Sequence, residues 1–172
     1  PPGKAEVLFE GLRSARWSSP QGACGEPVEL IVDTVFCREG SQVKFEVYRE
    51  FRERKKEIVK TLTARVTQKQ ARAEWQYEYE EQDEGKVPRF IFKATLGEYR
   101  VVSNTLEVGD EIELELVDED GNPVIHTPYV VLTSDGKNRI GHSDERGMVK
   151  ERVLPLGKCK FRMQDGAEIA LK

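Results

Sequence analysis

Histidine is the side chain best suited to acid–base or metal chemistry near neutral pH, and this chain has two, His126 and His142. Asp144 stands two residues after His142, with Ser143 between them in "IGHSDERG". Such a grouping could serve a small hydrolase, His142 and Asp144 acting with a serine or holding a metal. The spacing points the other way. There is no H-x-H or H-x-x-x-H pair, and His126 falls in "PVIHTPYVVL", where alternation predicts an ordinary strand residue. Neither Ser134 nor Ser143 stands in a G-x-S-x-G elbow. Cys24, Cys37 and Cys159 include no C-x-x-C pair, and their odd number favours reduced thiols, though one bridge between Cys24 and Cys37 stays open. "DEDGN" has the acidity of a calcium loop but not its full ligand pattern. No Gly-rich phosphate loop is present. The expectation is no catalytic residue, no metal and no cofactor.

The acids and glycines have another use. Asp120-Gly121-Asn122-Pro123, Ser134-Asp135-Gly136-Lys137 and Asp144-Glu145-Arg146-Gly147 each match a tight turn. Asp binds its own downstream backbone, Gly takes a positive φ, and Pro fixes φ while giving up an N–H.

Between such turns the chain reads as strands. "VELIVDTV" (28–35), "QVKFEVYREF" (42–51), "RFIFKATL" (89–96) and "EIELELVD" (111–118) are β-branched and aromatic, several with period-two spacing. Further strands are expected at 6–13, 57–67, 70–79, 97–103, 124–133, 147–154 and 158–163. The segments 57–67 and 70–79 read as a hairpin about Gln68-Lys69-Gln70, and the charged run 49–57 as a solvated loop. Trp17, Trp75, Tyr77 and Tyr79 are predicted mainly as core, with an exposed stacking platform for sugars as the rival use.

Composition narrows the class. In 172 residues, 27 basic and 31 acidic side chains give a net charge of −4 and a pI near 5.4. That balance argues against a nucleic-acid binder, and no apolar run is long enough to insert in a membrane. Starting at Pro1-Pro2-Gly3 with no Met, the chain reads as a piece of a longer polypeptide or a processed product. The expected architecture is all-β: an immunoglobulin-like sandwich over 1–108, then a smaller sandwich over 109–172, the boundary falling near Gly109-Asp110.

The order of pieces in residues 111–163 resembles the transthyretin-like, or carboxypeptidase-regulatory-like, β-sandwich at the C-terminal side of VgrG-type spike proteins of type VI secretion systems. The matching residues are Asp118, Gly121 and Pro123 at the first turn, Pro128-Tyr129, Asp135-Gly136, Gly141, Ser143-Asp144, Gly147 and Val149. Residues 5–108 more loosely resemble the immunoglobulin-like modules preceding such domains, through "ARWS", "PVELIVDT", "SQVKFEVYRE", "ARAEWQYEY" and "PRFIFKATL". The resemblance implies a non-enzymatic structural or interaction module of a contractile injection spike, docking a secreted effector, an adaptor or a spike component. Such a module is made in the bacterial cytoplasm and exported with the apparatus. It would trimerise with a parent spike or hang singly from each subunit.

Contacts are then expected at strand edges and at the loops 119–123, 134–138 and 142–147, with Asp120, Asn122, Asp135, Lys137, His142, Asp144 and Arg146 as the binding residues. The alternative is a peptidoglycan- or carbohydrate-binding module using Trp17, Trp75, Tyr77 and Tyr79.

Overall fold

The computed structural model describes residues 11–51, 56–163 and 168–170. The chain is all-β. In order, the strands are β1 (Gly11–Trp17), β2 (Gln21–Ala23), β3 (Pro27–Val35), β4 (Gln42–Glu50), β5 (Lys56–Arg65), β6 (Gln70–Gln76) and β7 (Arg89–Leu96). They continue with β8 (Tyr99–Val102), β9 (Leu106–Glu115), β10 (Pro128–Leu132), β11 (Asn138–His142), β12 (Met148–Leu154), β13 (Lys160–Met163) and β14 (Glu168–Ala170). A 3-10 turn covers Glu81–Asp83. The first part of the strand expected at 6–13 lies outside the described residues; from Gly11 onward it belongs to β1.

The strands form two compact units. Among the described residues, the first comprises 11–20, 27–51, 56–76 and 89–106, the second 21–26, 77–88, 107–163 and 168–170. In the first unit, β1–β3–β6 make one sheet, while β5–β4–β7 make the other and β8 extends it beyond β7. Three strands facing four, with the chain crossing between layers, is the arrangement of an immunoglobulin-like sandwich. Alternation drives it: Val43, Phe45 and Val47 of β4 are all fully buried. Rings from both sheets interlock between the layers. Trp17 meets Phe92 edge-on at 5.0 Å, and Trp75 meets Phe90 at 4.8 Å. Each such ring contributes on the order of 2–3 kcal/mol through burial.

Two expectations for this unit are corrected. Residues 57–79 do not form a hairpin sheet, because β5 pairs with β4 and β6 pairs with β3. Gln68 and Lys69 do turn the chain, both at positive φ, and Thr67 and Gln70 exchange backbone hydrogen bonds of 2.7 and 3.0 Å. After that single bridge each strand goes to a different layer. Nor is 49–57 a solvated loop throughout. Arg49 stays in β4, only 4% exposed, its guanidinium over the rings of Phe51 and Phe90, and Glu57 pairs back against it. Residues 52–55 lie outside the description.

In the second unit, β9 carries β12 antiparallel along Asp110–Glu115 and β2 in parallel along Glu107–Gly109. The other sheet runs β11–β10–β13–β14. Ile112, Leu116, Val149 and Leu154 from the first layer pack with Tyr129, Val131, Cys159 and Phe161 from the second. Tyr129 stacks on Phe161, with centroids 5.2 Å apart. The strand expected at 124–133 is shorter than its alternation suggests. It begins at Pro128, and His126, read from sequence as a strand residue, sits outside it at φ 48°.

Candidate functional site

The turn residues are grouped by β10. Pro128 pairs with His142 at one end of that strand, and Leu132 with Asn138 at the other. Asp120, Asn122, Asp144 and Arg146 therefore gather at the His142 end, with Asp135 and Lys137 at the opposite end. Backbone bonds tie the first group together: Leu116 N–H donates to the Gly147 carbonyl at 2.8 Å, and His126 N–H to the Ser143 carbonyl at 3.1 Å. Gly147 is required there, since at φ 76° an added Cβ would lie 2.6 Å from the Leu116 carbonyl oxygen.

Most of the acidic groups serve the turns. Asp118 accepts the N–H groups of Asp120 and Asn122 at 3.0 and 2.8 Å, and these bonds, Asn122 foremost, hold its carboxyl below the usual range. Asp144 accepts the N–H groups of Met148 and Arg146, both at 2.8 Å, with the same effect on its carboxyl. Asp135 is drawn down to about 2 by the Thr133 hydroxyl at 2.5 Å and then by Lys137. Ser143 is 2% exposed; its hydroxyl donates to the Val124 carbonyl at 2.7 Å and accepts the Thr127 N–H at 3.0 Å. This hydroxyl braces a loop and is aimed at its own backbone. Among the described residues, no three His, Cys, Asp or Glu side chains are grouped to hold a metal. Cys24, Cys37 and Cys159 are free thiols; burial raises Cys159, and it raises Cys24 together with nearby Asp110 and Glu78.

The aromatic platform is corrected by burial. Trp17, Trp75 and Tyr77 are 3%, 8% and 5% exposed, so their faces are spent on core packing. The Tyr77 hydroxyl donates to buried Asp83. Tyr79 alone of the four is exposed. One ring gives no row on which a sugar chain could stack.

What sequence reading missed is β11 and its central residue. "NRIGH" holds a single large apolar side chain, too few for a periodic signal, yet Ile140 is 74% exposed in the middle of an edge strand. The available clue was Asp135-Gly136, because a hairpin turn after β10 demands a returning strand. β11 pairs with β10 in unbroken register from His142 to Asn138. Flanking bonds from Thr133 N–H to Lys137 O and from Ser143 N–H to Thr127 O, 2.9 and 3.0 Å, set which residues face β10. By antiparallel alternation, Arg139 and Gly141 exchange hydrogen bonds with β10. The N–H and C=O groups of Asn138, Ile140 and His142 then point away from the sheet.

Two devices hold this edge in place from the inner side. Arg139 reaches to β12 and donates to the carbonyls of Arg152 and Val153, both at 3.0 Å, beside Glu151 at 3.7 Å. Val153 has φ 53°, a costly conformation for a β-branched residue, at the bulge of β12. Gly141 lets Tyr129 lie across the backbone of β11, where an added Cβ would come 2.5 Å from Tyr129 Cζ. The Tyr129 hydroxyl donates to Glu151 at 2.8 Å, and burial together with that carboxylate pushes the phenol up to about 12.

No family model matches the chain, and no curated protein is similar to it in sequence. Among solved structures, trypsin-activated alpha-2-macroglobulin from Escherichia coli is similar at 8% identity with a TM-score of 0.43, over 91% of this chain and 15% of that one. This chain therefore spans a small part of that protein's length.

Proposed function

We propose that the chain is a non-enzymatic docking module of a type VI secretion or related contractile injection spike. It holds a protein partner (an effector, an adaptor or a spike component) by strand addition at β11. The assignment to an injection machine rests on the resemblance of residues 111–163 to the transthyretin-like module. The docking mode rests on one observation: β11 is an unbulged edge with outward backbone groups and Ile140 74% exposed at its centre. An added strand gains main-chain hydrogen bonds from such an edge, and alternate side chains supply the selectivity. The loop residues Asp120, Asn122, Asp135, Lys137, Asp144 and Arg146 then shape the two ends of the edge, the carboxylates of Asp135 and Asp144 already engaged in turns. The module is made in the cytoplasm and leaves with the apparatus.

Capture from the producing cell tests this reading, using the full chain, Ile140→Lys, and Lys60→Glu on β5 as the control. A partner retained by the chain and by Lys60→Glu but lost with Ile140→Lys is the expected result. A partner held equally by all three sinks the edge-docking mode.

A further inference from the structure

We infer that the strand added at β11 is β11 of a second copy, forming a two-fold pair centred on Ile140. This rests on the edge-docking reading and names its occupant. The argument is one of register. Asn138, Ile140 and His142 direct N–H and C=O groups outward, so an antiparallel copy aligned with Ile140 opposite Ile140 can exchange hydrogen bonds at all three positions. Side chains agree with that register and with few others. Ile140 meets Ile140 on the outer face, beside Val130, its partner across β10. Asn138 meets His142, a donor–acceptor pair. Arg139 meets Gly141, where no side chain competes for its space. No like charges stand opposite, which would disfavour the pairing. A shift of two residues either way would leave Ile140 against a polar partner and reduce the number of paired positions.

Self-complementarity of one patch is what a two-fold interface requires. Five residues bury well under the roughly 1,000 Å² of a stable interface, so the pair is weak and depends on concentration. It gains strength wherever the chain is held at high local concentration, as on an oligomeric parent.

Disulfide trapping reads the register directly, in the full chain carrying Cys24→Ser and Cys37→Ser with buried Cys159 kept. Hydrogen-bonded antiparallel partners have Cα atoms about 5.5 Å apart, inside the range a disulfide spans. Ile140→Cys is therefore expected to give a covalent dimer under mild oxidation. Asn138→Cys alone should not, since its copy lies about 14 Å away. Mixing Asn138→Cys with His142→Cys should give the mixed dimer only. In sedimentation, Ile140→Lys should weaken self-association roughly tenfold or more by setting two ammonium groups face to face. Trapping no better at 140 than at 138, with a monomer at the highest concentrations reached, overturns the second copy as occupant. If the capture experiment still shows a partner lost with Ile140→Lys, the edge reading stands and only its occupant changes; if both fail, neither stands.

Discussion

Among the described residues β5 and β11 each pair with one neighbouring strand, yet they present different edges to solvent. β5 carries Lys56, Glu57, Lys60 and Arg65, and its register slips between Val47 and Tyr48 of β4, leaving Val59 as a bulge. Charge and a bulge are common ways of making an edge a poor template for another strand. β11 has no bulge, its one cation is turned inward to β12, and its central side chain is an isoleucine 74% exposed. The contrast shows that an open edge here is local, built into five residues. It also shows that exposure of apolar area alone is a poor guide: Ile58 on β5 is 50% exposed but sits beside the bulge.

The strongest way to break the contrast is to remove the support of β11. Gly141→Ala drives a methyl into Tyr129, which is fixed by Phe161 and Glu151. Overpacking of this kind costs on the order of 2–3 kcal/mol, so denaturant unfolding should report a loss of that size, with self-association falling too. An unchanged midpoint would mean that the ring is free to move and that β11 is not braced by it.

A second test uses pH. The Tyr129 phenol is raised from 10.0 to about 12, so the folded state favours its protonated form. The associated stability is complete below pH 10 and is lost as pH rises from 10 toward 12. Tyr129→Phe should remove this alkaline dependence and, by leaving Glu151 short of a donor, cost about 1 kcal/mol at neutral pH. Tyrosinate absorbance that titrates wholly near 10 would contradict it.

The smallest effect is expected on β5. Lys60→Ile adds apolar surface to a bulged edge and should change stability by less than about 0.5 kcal/mol, with no new association in sedimentation. Oligomers appearing with that variant would show that charge, and not the bulge, keeps β5 single.

The parts legible from sequence were those settled over a few residues. Asp135-Gly136 and Asp144 with Gly147 specify their turns by side-chain-to-backbone bonds and positive φ, whatever the rest of the chain does. The β4 alternation likewise declares a half-buried strand on its own. Pairing is different, because β5 and β6 both look like hairpin arms until the layers compete for them. Their partners β4 and β3 lie earlier in the chain and are chosen by which inner faces must meet. β11 was hidden for the opposite reason: its pattern is too short to register, and its importance comes from where β10 places it.

The second unit gathers residues 21–26 and 77–88 as well as the described residues from Glu107 onward. Ala23 lies against Gly109, and Gly85 N–H bonds to the Leu156 carbonyl at 2.8 Å. On a ribosome, Gln21–Ala23 must wait for Glu107–Gly109, and residues 77–88 must wait longer still, until Leu156 has emerged. Closure of this unit is thus a late event during synthesis, and a chain stopped before Leu156 would leave the Gly85 N–H and the Lys86 carbonyl without the backbone partner that holds residues 77–88.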